Sequence, residues 1–64
     1  MNKENEIKRR IEMLIDIANG SYQLYGWNEA HELRLARIDG MIEVLSILTE
    51  KEYYYNEEGL HEKQ

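Results

Sequence analysis

Leu35-Ala36-Arg37-Ile38-Asp39-Gly40-Met41-Ile42-Glu43-Val44-Leu45-Ser46-Ile47-Leu48 is the stretch that decides the fold. Wound as a helix, its apolar members cover roughly 240° of the circumference. A single neighbouring helix covers a stripe of only about 100°. A helix apolar on two sides must pack against at least two others. The chain contains no proline, and the pattern predicts one continuous helix from about residue 29 to about residue 57.

On its N-terminal side, Asn28 is a good helix N-cap and Glu29 suits the positive end of the helix dipole. Gly26 can take the left-handed conformation that closes a preceding helix, with Trp27 folding back onto its end. Residues 26–28 are therefore a tight turn, and a linker this short returns the chain antiparallel. Before the turn, Ile7, Ile11, Leu14, Ile15, Ala18, Tyr22 and Tyr25 recur at intervals of three and four. They define a first helix over about residues 4–25, with Met13, Ile17 and Leu24 as a second, weaker stripe. Asn19-Gly20 is a competing stop signal, because glycine costs about 1 kcal/mol inside a helix. The phase of Tyr22 and Tyr25 favours continuation. On the C-terminal side, Gly59-Leu60 repeats the C-cap signature, and residues 60–64 are expected to fray.

The expected fold class is all-α: an antiparallel helical hairpin forming one domain over residues 1–64. At 64 residues without cysteine, disulfide staples and thiolate zinc sites are excluded. A chain below about 70–80 residues rarely builds a core worth more than about 3–5 kcal/mol. Self-association is the remaining support. With the turn centred on Gly26-Trp27, Ile7 falls opposite Ser46, and Tyr53, Tyr54 and Tyr55 overhang the first helix. Both arguments lead to a homodimer, two hairpins forming a four-helix bundle. Its expected interface is Met13, Ile17, Ala36, Gly40, Met41, Val44, Leu45, Leu48 and Tyr55. Ala36-x-x-x-Gly40 puts two small residues one turn apart, where backbones can approach.

Charge is unevenly placed. Residues 1–25 hold four basic and four acidic side chains, whereas residues 26–64 hold four basic and nine acidic, so the net −5 lies wholly in the second part. Glu32, Asp39, Glu43, Ser46, Glu50, Tyr53 and Glu57 align in a strip about 37 Å long at 1.5 Å per residue. Such a strip is either a solvated face or an acidic ridge for a basic surface. Arg34 and Arg37 stand inside the apolar arc, either with stems along the core edge and heads in water or as a contact for a carboxylate or phosphate. The one basic run, Lys8-Arg9-Arg10, is surrounded by Glu4, Glu6 and Glu12, and Glu6–Arg10 is a favourable i,i+4 pair. Nucleic-acid binding is not expected of so acidic a chain. No apolar run is long enough for a membrane span or signal-peptide core, so a cytoplasmic chain is expected.

Motifs for chemistry are thin. His31-Glu32-x-x-Leu35 lacks the second histidine of the zincin helix. Glu58-x-x-His61 has di-iron spacing but straddles Gly59 and has no partner motif. Glu29-x-x-Glu32 with Asp39 and Glu43 resembles the carboxylate set of small helical nucleotide pyrophosphohydrolases, which hold Mg²⁺ between helices. The first helix offers no matching pair. No catalytic residue, cofactor or metal is expected, and a metal-dependent nucleotide hydrolase formed across the dimer stands as the rival reading. Binding another protein is the leading one. Tyr53, Tyr54 and Trp27, with Glu43, Glu50 and Glu57, are the candidate contacts, because tyrosine and tryptophan add apolar area with a polar handle.

The run from Ala36 to Leu45, preceded by Asn28-Glu29-Ala30-His31-Glu32-Leu33, resembles the helical hairpins of small accessory proteins of bacteriophages and mobile elements. The resemblance covers only the second half and has no functional motif to carry over. It implies a bacterial or phage source and an inhibitor or modulator of a host or defence protein. A structural or assembly subunit is a third reading.

Overall fold

The computed structural model describes residues 2–64. Helix α1 spans Lys3–Tyr25 and helix α2 spans Glu29–Thr49, followed by strands β1 (Tyr53–Asn56) and β2 (Gly59–Glu62). The chain is mostly helical with a small two-stranded sheet, in a body of 35 × 20 × 19 Å. Among the described residues no helix is long and apolar enough to cross a membrane.

Local chemistry sets the helix ends. Asn2 caps α1, its Oδ1 accepting the Glu4 N–H at 2.8 Å, and Glu4 and Glu6 occupy the first turn, where the helix dipole favours acids. The helix runs unbroken through Gly20. Gly26 ends it at φ 71°, donating its N–H to the Tyr22 carbonyl at 2.8 Å. Asn28 then caps α2, its Oδ1 accepting the His31 N–H at 2.8 Å.

The second helix does not continue to about residue 57. It stops at Thr49, where Glu50 takes a left-handed conformation (φ 58°, ψ 33°) and donates its N–H to the Ser46 carbonyl at 2.8 Å. Left-handed geometry costs a residue with a Cβ about 1–2 kcal/mol. That turn takes the chain out of the helix and into strand β1. Tyr53-Tyr54-Tyr55 is rich in strand-forming aromatics, and alternation buries Tyr53, exposes Tyr54 and half-buries Tyr55. The tail expected to fray is strand β2, paired antiparallel with β1 in the register Tyr53↔Glu62, Tyr54↔His61, Tyr55↔Leu60 and Asn56↔Gly59. Gly59, expected as a helix cap, closes a β-turn instead. Asn56 opens that turn, its Oδ1 accepting the Glu58 N–H at 2.8 Å, and Gly59 ends it at φ 124°. Asparagine at the first position and glycine at the fourth suit a type I turn.

The hairpin lies against one groove between the helices. Glu12 Oε1 accepts the Leu60 N–H at 3.1 Å, and Asn19 Nδ2 donates to the Glu57 carbonyl at 3.3 Å. Gly59 sits so close to this anchor that an added Cβ would stand 2.6 Å from Glu12 Oε2. Under the hairpin is the core: Ile11, Ile15, Ala18, Ile38 and Leu45 are fully buried and Tyr53 is 9% exposed. Ile7, Leu14, Leu35, Met41, Ile42, Tyr55 and Leu60 pack around them. Full burial of an aliphatic side chain stabilises by about 1.5–3 kcal/mol.

This packing corrects three assignments. Leu45, expected at a dimer interface, is the centre of the chain's own core. Tyr55, expected there too, packs on that core from β1. Tyr53, expected to face a partner, is buried with its ring 5.6 Å from Lys8 Nζ.

Candidate protein-docking face

The two helices have a second groove on the side away from the hairpin, and no described residue fills it. Helix periodicity explains why it is apolar. With Ile38 and Leu45 directed at the core, a rotation of about 100° per residue carries Ile42 toward the hairpin, Gly40 and Val44 to the opposite side, and Ala36 straight away from the core. On α1, Met13 and Ile17 are likewise turned away from Ile11 and Ile15. Met13 is 58% exposed, Ile17 52%, Val44 56% and Leu48 55%. Half-buried Ile7, Leu14 and Met41 floor the trough, and Gly40 leaves open space in its wall. Ala36 is exposed beside Gly40. Four of the residues expected at an interface (Met13, Ile17, Gly40 and Val44) thus line this groove with Met41 at its floor, whereas Ala36 and Leu48 are exposed but line neither half of it.

Arg10 and Arg37 border the trough. Arg10 Nη2 lies 3.3 Å from Glu6 Oε1, as the i,i+4 spacing predicts. The two arginines of the α2 apolar arc separate in role. Arg34 is half-buried and donates from Nη1 to Ser21 Oγ at 3.2 Å, tying α2 to α1. Arg37 is exposed and makes no hydrogen bond or ion pair among the described residues. Elsewhere, Lys8 Nζ is 3.0 Å from Glu4 Oε2, and that hydrogen bond is the largest cause raising the ammonium above its ordinary 10.5.

The acidic strip is shorter than expected. Glu32, Asp39, Glu43 and Glu50 remain on or at the end of α2, whereas Tyr53 and Glu57 leave with the hairpin. Its length falls to about 27 Å at 1.5 Å per residue. It runs along the edge of α2 between the open face and the hairpin. Burial first, and Asp39 second, push the Tyr55 hydroxyl above its usual range. Glu43, Glu50 and Glu57 are all exposed. Among the described residues no three histidine or acidic side chains gather as a metal site requires; Glu29, Glu32, Asp39 and Glu43 do not converge.

The aromatic candidates divide. Tyr54 is exposed and stacks on His61, with ring centroids 5.1 Å apart. Trp27 is exposed at the helix–helix turn, edge-on to His31 at 5.0 Å. His31 is not the solvated first-turn residue that its position suggests. It is buried between Trp27 and Tyr22, with Nδ1 lacking a partner among the described residues. Sequence reasoning also missed Glu12 and Asn19, which anchor the hairpin through contacts 48 and 38 residues away along the chain.

Comparison with protein-family models, with curated proteins and with solved structures found no match.

Proposed function

We propose that this chain is a non-enzymatic protein-binding module and that the open face of its helical hairpin is the surface it binds with. One observation carries the reading: Met13, Ile17 and Val44, each more than half exposed, line one trough between the two helices that no described residue fills. Contiguous exposed apolar surface on a small chain marks an interaction site. If the accessory-protein resemblance extends to role, an inhibitor or modulator of a host protein would act through this face.

A second reading puts another copy on the same face, giving a four-helix bundle with the β-hairpins outside. The small core favours it, since few apolar side chains are fully buried and association would add to them. Two measurements test the proposal together. Sedimentation of the wild type reads self-association. Capture from bacterial lysate with wild type and Val44→Lys reads a foreign partner, which the wild type retains and the variant loses. A wild-type chain that stays monomeric at high micromolar concentration and retains nothing contradicts the proposal.

A further inference from the structure

We infer that the open face is shaped for an amphipathic helix of another protein that carries a carboxylate within its apolar seam, and that Arg37 reads that carboxylate. The inference rests on the docking role proposed above and names the kind of partner. Two antiparallel helices pack with their axes about 8–10 Å apart, and the groove between them accepts the ridge of a third helix. The hairpin fills the opposite groove with Tyr55 and Leu60, so the open one is the only helix–helix groove among the described residues without such a filling. Its floor and walls are aliphatic or methionine side chains from Ile7, Met13, Leu14, Ile17, Met41 and Val44. That is the lining an apolar helix seam requires.

Arg37 sets the chemistry of the seam. It borders both halves of the trough, beside Gly40, Met41 and Val44 on one side and Leu14 and Ile17 on the other. An apolar helix laid over it would strip water from a guanidinium that has no partner of its own, and an unpaired buried charge is strongly unfavourable. A carboxylate at that point in the seam removes the penalty and accepts two parallel N–H bonds, which the planar guanidinium offers. The open space at Gly40 lets a partner backbone come near.

A second copy fits this chemistry less well. The open face carries Arg10 and Arg37 and a single acid, Glu6, already paired with Arg10. The carboxylates of α2 lie on its edge strip, turned off the face. The face itself therefore offers Arg37 of another copy no unpaired carboxylate. The flanking acidic strip equally disfavours a phosphate backbone.

The test is a displayed library of amphipathic helices with leucine-rich seams, each seam position randomised in turn, selected against the intact protein. Expected is enrichment of Glu or Asp at one seam position. Arg37→Glu should move the preference at that position to Lys or Arg, and Arg37→Ala should weaken the Glu-bearing helix by at least about tenfold. It should leave the Gln counterpart nearly unchanged. Circular dichroism confirms that these surface variants keep the fold. Selected helices with no acidic preference, or a preference that survives Arg37→Ala, overturn the inference and leave the docking role standing. No selected helix together with a dimer sealed through Val44 overturns the inference in favour of a second copy. No selected helix and a monomer overturn both.

Discussion

The two grooves of the helical hairpin differ in what the chain does with them. The front groove is filled by the chain's own Tyr53, Tyr55 and Leu60, held there by Glu12 and Asn19. The back groove is lined by comparably apolar residues and filled by nothing among the described residues. Filling one groove gives a 64-residue chain a core; leaving the other open gives it a surface. The same periodicity in α2 serves both, because a helix apolar around most of its circumference offers one side to its own hairpin and one outward.

Variants that break the front should have the largest effects. Leu45→Ala is expected to lose about 2–5 kcal/mol, as deletion of a fully buried leucine does. In so small a core that approaches the whole stability, and urea denaturation should show a mostly unfolded chain. Gly59→Ala combines a positive φ with a Cβ forced against the Glu12 carboxylate. An expected loss of about 1–3 kcal/mol comes from the backbone alone, with loss of the Leu60–Glu12 bond visible as faster exchange of the Leu60 amide. A smaller effect should appear at alkaline pH. The Tyr55 hydroxyl is held above its ordinary 10.0 by burial and by Asp39. Its contribution to stability is therefore fully present below pH 10 and falls as pH rises through the folded value. Tyr55→Phe should flatten that decline. The smallest change is expected from Tyr53→Phe. The Tyr53 hydroxyl is buried without a partner among the described residues, so removing it should leave the melting temperature equal to or above that of the wild type.

Much of this architecture is legible in the sequence, for reasons that residues make plain. Gly26 and Asn28 mark the helix–helix turn because both act within a few residues of themselves. A second apolar stripe is legible too: Met13 and Ile17 on α1 and Gly40 and Val44 on α2 stand off the core stripe at helical spacing. The end of α2 is not, because Glu50 has no sequence mark of a left-handed cap and the acidic pattern continues in phase through Glu57. Three successive tyrosines and Asn56-x-x-Gly59 carry the strand and turn signals, but Gly59 also suits a helix cap, and that alternative hides them. Leu45 and Tyr55 show a different limit. A helical wheel reports that α2 has two apolar sides, and only the path of the remaining chain decides which one becomes core. Arg34 and Arg37 cannot be told apart by periodicity either, since the difference is Ser21 on the other helix.

The contrast between the grooves is tested most directly by unfolding a matched pair of truncations, one in each groove, at concentrations too dilute for association. Tyr55→Ser on the front and Val44→Ser on the back both remove apolar side chains. Equilibrium urea unfolding should show Tyr55→Ser less stable by at least about 2 kcal/mol. Val44→Ser should stay within about 0.5 kcal/mol of the wild type. Comparable losses in the two variants would contradict the account, because the back groove would then belong to the chain's own core.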